Sequence, residues 1–335
     1  MSVGKLIKLL LPNNIIRILK MHKLKIASFN CYKYDINTFI KYSNILYPFD
    51  NIDKLLGQII AEYHVIEKGL TMPDMRYGFG KQTLVDLIYH CELYSSKYET
   101  KNEQFLYALS VIGEYEYVHK KNNYNLEKGI VSKINKILCQ YDRYTKSSQK
   151  RQSKDDYFKH SESSFYDFSN SRHSVRNYSG VVDIERVKLA VKLAQNSPSA
   201  CNRQPIRVYV LENKLILNLV LDIQNGNRGF GHLADKLIIL TAELGVFLSL
   251  SERNDAYVNG GIYAMNLLYA LHFYKIGACT LNWCSMPEQD KKLRKIIQIP
   301  DSEIVILLIA CGEVPDEFKV ASSHRNDYSK ILKVI

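Results

Sequence analysis

Between residues 51 and 141 apolar side chains return every three or four positions. Leu55, Leu56, Ile59, Ile60 and Tyr63 form one set, Leu84, Leu87, Ile88 and Cys91 a second, Phe105, Leu106, Leu109 and Ile112 a third, and Ile130, Ile134, Ile137, Leu138 and Tyr141 a fourth. That spacing lays an apolar stripe along one side of an α-helix, so residues 51–141 are expected to form a small all-helical domain. The stripe then stops. From Thr145 to Ser153 every residue is polar, and residues 142–162 have the composition of a linker. Beyond it, strand-like and helix-like runs alternate. Helices are expected at 187–196, 214–223, 255–275 and 287–297, the third stopped by Gly277 and the fourth opened by Pro287. Strands are expected at 207–211, 237–241, 278–283 and 304–310, the last an unbroken apolar run. Such alternation implies an α+β domain at 163–335, a mixed sheet covered by helices on both faces.

Composition fits that division. With 335 residues, 46% apolar and 24% charged, the chain is long enough for two soluble domains. Its seven cysteines form no C-x-x-C pair and no zinc-like cluster, which argues against a structural metal and points to a reducing, cytoplasmic compartment. The net charge of +11 is unevenly placed: Lys5, Lys8, Arg17, Lys20, Lys23, Lys25 and Lys33 all precede the first acid, Asp35. Leucines and isoleucines intersperse these cations, and Pro12 interrupts the run. Residues 1–50 therefore read as a basic amphipathic segment, too charged to span a bilayer. Residues 1–34 suit peripheral contact with an anionic membrane surface, the inner face in a cytoplasmic setting, or packing on the protein itself with a solvated basic face. No aromatic-rich module accompanies the charge, so nucleic acid is not an expected partner.

The informative segment is Ser171-Arg172-His173-Ser174-Val175-Arg176-Asn177-Tyr178. Two arginines and a hydroxyl in five residues supply donors suited to a phosphate and to an electron-rich ring carbonyl, although such a run alone is more often a solvated loop. After one intervening helix comes Ser197-Pro198-Ser199-Ala200-Cys201-Asn202-Arg203-Gln204-Pro205, a turn stiffened by two prolines. Together the two motifs resemble the nitroreductase family. The resemblance continues through Gly260, Gly261, Ala264 and Asn266 of the long helix, then Ile299-Pro300-Asp301, Gly312-Glu313-Val314-Pro315 and His324-Arg325. It covers about half of the chain.

That resemblance implies an FMN-dependent oxidoreductase, a homodimer that moves two electrons by a ping-pong route from NAD(P)H, NADPH included, to a small-molecule acceptor. It implies that Arg172, Ser174 and Arg325 hold the FMN phosphate, with His173 beside them as a hydrogen-bonded scaffold, and that Arg176 meets the pyrimidine edge of the ring. Pro198, Ser199, Asn202 and Gln204 would line the flavin from the turn, across the dimer interface. The chain departs from the family after the long helix, where Leu281-Asn282-Trp283 replaces a glycine-containing segment. One of those three would present the backbone amide to the flavin, and Trp283 would either stack near it or belong to the core. No catalytic side chain is singled out. Two alternatives remain: a flavin-dependent dehydrogenase of a metabolite or peptide, and a non-catalytic accessory of a membrane-associated biosynthetic system, surface polysaccharide being the association of similar helical preludes. In the helical part, His64 and Glu67 share a helix face, which is half of a carboxylate metal site or a buried polar cluster orienting a helix end at Gly69.

Overall fold

The computed structural model describes residues 12–46, 48–141 and 147–335. Two compact units make up the chain, residues 1–55 with 249–251 and residues 56–248 with 252–335. In the first, Pro12 stands at the N-cap of α1 (Asn13–Tyr42), and its carbonyl accepts from Ile15 and Ile16. The proline thus stands directly before the first turn of the helix, as its fixed φ and missing N–H favour. Residues 1–11 of the expected amphipathic segment lie outside the described residues. No residue of α1 is buried. Ile15, Ile18, Leu19, Ile26, Phe29, Ile36 and Ile40 fall on one side of it at helical spacing, and Asp35 is its single acid.

The second unit opens with most of α2 (Ile52–Thr71), followed by α3 (Lys81–Lys97), α4 (Glu103–Lys121) and α5 (Lys128–Leu138). Ile59, Ile66, Leu84, Leu87, Phe105, Ile112 and Ile134 are buried, so the stripes read from the sequence do face inward. Asn102 caps α4 by accepting from the amides of Gln104 and Phe105. Gly69 does not end a helix. It lies inside α2, where a Cβ would sit 1.9 Å from Cε2 of Phe79, so the glycine is the gap into which that ring packs.

The stretch read as a linker is largely folded. Residues 149–153 form β1 (Gln149–Ser153), which pairs antiparallel with β6 (Glu317–Ala321) from Gln149 opposite Ala321 to Ser153 opposite Glu317. The short helices α6 (Lys154–Phe158) and α7 (Phe165–Ser171) follow. A five-residue polar strand carries no apolar alternation to reveal it; its order comes from the backbone ladder with β6, and from Tyr157 and Phe158 entering the core directly after it.

The main sheet runs in the order β2 (Ile206–Leu211), β3 (Lys236–Glu243), β5 (Glu303–Gly312), β4 (Gly277–Asn282). All its ladders are antiparallel, so among the described residues the expected mixed sheet is antiparallel throughout. Successive residues feed opposite layers. Leu237, Ile239, Leu308 and Ala310 join Leu217, Val220 and Leu293 under α9 (Lys214–Ile223) and α11 (Pro287–Ile297). Ile238, Leu240, Ile309 and Cys311 join Val187, Ala190, Leu267 and Leu271 under α8 (Ile184–Ala194) and α10 (Asp255–Phe273). The chain leaves α10 through Lys275, whose φ is 56°, and not through Gly277, which opens β4 and whose added Cβ would meet Val314 at 2.5 Å.

Gly69→Ala should destabilise the protein, because overpacking costs roughly 1–3 kcal/mol and here displaces an aromatic ring, outweighing up to about 1 kcal/mol of helix propensity. Gly57→Ala, in open space on the same helix, should stabilise by about 0.5–1 kcal/mol. Urea-unfolding midpoints of the two variants, shifted in opposite directions, check both.

Candidate functional site

The strip 172–178 runs along the edge of β4. The Val175 amide donates to the Ala278 carbonyl at 3.0 Å, and the Val175 side chain is wholly buried. Because side chains alternate along an extended chain, fixing Val175 inward leaves Ser174 and Arg176 on the opposite side. Two tyrosines hold the strip in place. The Tyr178 hydroxyl lies 2.8 Å from the Val175 carbonyl and 2.9 Å from that of Ala310. The Tyr157 hydroxyl donates to the His173 carbonyl at 2.7 Å and sits 3.3 Å from its amide.

Arg172, His173, Ser174 and Arg176 open onto a cavity of about 730 Å³ shared with Lys150, Tyr107, Tyr269, Met265, His324 and Arg325. Among the described residues no aspartate or glutamate lines it. Among the described residues four cationic side chains therefore share one concavity without a compensating carboxylate. Two consequences follow from that excess. The Nε of Arg172 is buried with no hydrogen-bond partner, an unmet donor that a native fold rarely leaves idle. His173 is held down to about 4 by burial and by Lys150, Arg172 and Arg325, and His272, beneath it, also falls to about 4 through burial, Arg172 and His173. Both imidazoles are consequently neutral near pH 7, which suits His173 to scaffolding. Lys68 of α2 lies in the same field: burial, then Arg176, lower its ammonium below the usual lysine value.

The remaining residues expected at the site lie outside this cavity. Pro198, Asn202 and Gln204 are exposed, Ser199 half-buried, on a turn where Cys201, Asn202 and Gln204 all have positive φ, at 50°, 53° and 49°. Side chains hold this sparsely populated backbone: Asn259 accepts from the Ala200 amide at 2.8 Å, Ser199 from the Gln204 amide at 3.0 Å, and Arg203 pairs with Glu252 at 2.9 Å. At the end of β4, Leu281 is core, Asn282 is exposed and its carbonyl accepts from Gln224, and Trp283 packs on the core with Nε1 3.4 Å from Asp290. Sequence reasoning did not single out Lys150, Lys68, Tyr107 or His324 as site residues. Lys150 lay within the polar run, Lys68 and Tyr107 lie on helices read only for their apolar stripes, and His324 entered only as the neighbour of Arg325 in a shared motif.

Glu67 is fully buried, and its oxygens accept from Tyr107 at 2.6 Å, from the Ser323 amide at 2.8 Å and face His64 Nδ1 at 3.0 Å. This is the polar-cluster alternative, and among the described residues no group of three or more His, Cys, Asp or Glu is placed to hold a metal ion.

Residues 170–313 match the family model described as Nitroreductase family. Similar solved structures include a nitroreductase family protein from Streptococcus pneumoniae TIGR4, 20% identical over 51% of this chain and 100% of that one, with a TM-score of 0.45. An FMN-dependent nitroreductase from Clostridium difficile R20291 is 22% identical over 50% and 96%, TM-score 0.42. A protein of Desulfovibrio desulfuricans crystallised in complex with FMN is 19% identical over 51% and 96%, TM-score 0.42. No curated protein matches the chain.

The two depressed histidines give the fold a pH dependence of definite sign. Unfolded, each ring protonates near 6.5; folded, only near 4. Their contribution is fully present above about 6.5 and is lost as pH falls from there towards 4. Melting temperature measured from pH 7.5 to 4.5 should fall through that window, and His272→Gln should flatten the decline. A slope unchanged by that substitution would mean other groups set it.

Proposed function

We propose that the second unit is an FMN-dependent oxidoreductase that takes electrons from NAD(P)H, a reading supported by the match of residues 170–313 to the Nitroreductase family model. The observation that carries this reading is the cationic cavity, free of acids among the described residues, with the Arg172 Nε unpaired among them on its wall. A phosphate monoester dianion supplies what that wall lacks: oxygens to satisfy the guanidinium and charge to relieve the crowding. Arg172, Ser174 and Arg325 would hold the phosphate, Lys150 would add long-range attraction, and Arg176 would lie beside the pyrimidine edge. When bound, FMN accepts two electrons as a hydride and passes them to an acceptor, a ping-pong sequence in one pocket. Arg176, fixed by the strip along β4, would stabilise the negative charge that gathers at its edge of the ring without having to reorganise. His173, neutral, would orient and not exchange protons.

A homodimer accounts for the residues left outside the cavity. Tyr257, Val258, Ile262 and Met265 are exposed apolar residues on α10, and a second copy seated there would bury them. The same seating would bring the rigid turn of Pro198, Ser199, Asn202 and Gln204 towards the other copy's cavity. For the first unit, the exposed basic helix α1 supports peripheral contact with an anionic membrane surface at the cytoplasmic face, while no helix among the described residues is long and apolar enough to cross a membrane.

Purified protein should bind FMN and show its visible absorption, bleached by anaerobic NADPH or NADH. Protein that stays colourless with added FMN would refute the reading. Arg172→Ala and Arg325→Ala should each weaken FMN binding about 10- to 100-fold, the worth of a charge-assisted hydrogen bond to phosphate. Deleting residues 12–42 should abolish co-sedimentation with anionic vesicles and leave FMN binding intact.

A further inference from the structure

Arg325 sits on a segment with almost no secondary structure to hold it. Residues 322–327 form neither helix nor strand, and Arg325 itself is exposed. Ser323, His324 and Arg325 line the 730 Å³ cavity on one side and a second cavity of about 380 Å³, with Ile60, Tyr63, His64 and Gln104, on the other. A strip of chain between two cavities has few neighbours to fix it, and Ser323 has a left-handed φ of 48° that a serine rarely adopts unaided.

The helical half of the chain supplies the missing support at three points. The buried Glu67 carboxylate of α2 accepts the Ser323 amide at 2.8 Å and the Tyr107 hydroxyl at 2.6 Å. Gln104 of α4, oriented by the Tyr63 hydroxyl at 2.5 Å, donates to the Asn326 side chain at 2.9 Å and reaches the His324 carbonyl at 3.4 Å. The Tyr107 ring stacks on His324, centroids 5.2 Å apart and planes 23° apart. These contacts fall on both sides of Arg325 and on none of its own atoms. Hydrogen bonds to a buried carboxyl group are costly to leave unmade, and an amide facing it is fixed in both distance and direction.

We propose that the helical half is a positioning device for the phosphate site: Glu67 and Gln104 hold residues 323–326 so that Arg325 faces the cavity, and FMN affinity depends on α2 and α4. This rests on the FMN reading above. It makes Glu67 and Gln104 positioning residues, distinct from the groups that touch the ligand, and it ties the helical half to the cofactor and not merely to folding.

FMN and riboflavin, which differ only in the phosphate, separate the two roles. Fluorescence titration of the full chain should show wild type binding FMN more tightly than riboflavin. Glu67→Gln should raise the FMN dissociation constant about 10-fold, and Asn326→Ala, at an exposed position that leaves the fold intact, about 3-fold. Riboflavin affinity should move less than about twofold in both. Equal losses for both ligands, or no loss of FMN affinity, would overturn the proposal, as would a wild type that does not distinguish the ligands. If Glu67→Gln does not fold, Asn326→Ala decides alone. Wild-type protein that binds neither flavin would instead remove the underlying FMN reading and this inference with it.

Discussion

Like charge crowded into one concavity is the constraint around which the second unit is arranged. Lys150, Arg172, Arg176 and Arg325 share a wall that, among the described residues, has no carboxylate, so the fold bears their mutual repulsion. It does so by fixing backbone: the Val175 amide on Ala278, the Tyr157 hydroxyl on His173, and the Tyr178 hydroxyl between Val175 and Ala310. Two imidazoles yield their charge instead, as the depressed values of His173 and His272 record. A site of this kind is stable by virtue of its frame and improved by an anion, since a ligand that binds only the folded state adds directly to stability.

Where amphipathic period and a punctuating residue coincide, the sequence was legible to the residue. Helices 214–223 and 287–297 have Asn213 accepting from the Leu215 and Ile216 amides and Pro287 at the first position, and both boundaries were readable. Strands β2, β3 and β5 were read short and β4 one residue late. β3 and β5 extend past their apolar runs because Lys236 and Glu303 are buried with partners, the first paired with Glu212 and Asp235, the second accepting from Tyr209. Apolar patterning does not see a charged residue that is paired. Likewise Gly277 looked like a helix stop, whereas Lys275 takes the left-handed turn and the glycine serves a close approach of Val314.

The site was legible by halves for a related reason. Arg172, Ser174 and Arg176 announce themselves because their chemistry is concentrated in five residues. Lys150 arrives through a polar strand that only its partner β6 defines, and Gln104 meets Asn326 across 222 residues of sequence. Such pairings have no local signature, since the ladder and the buried carboxylate determine them and not the residues around each position.

The boundary drawn by family likeness is therefore not the boundary of the cavity. The match ends at 313, before β6, and begins at 170, after β1, so Lys150 and Arg325 fall outside it while Arg172 and Arg176 fall inside. Two of the four wall cations thus lie outside the matched residues, and the segment that carries Arg325 is held by α2 and α4. A helical prelude whose buried glutamate fixes the backbone two residues from a cavity arginine cannot be removed without loosening that wall. Its role is explained by the physics of the site: cations that repel one another stay aligned only if each is anchored from behind, and for Arg325 the anchors are Glu67 and Gln104.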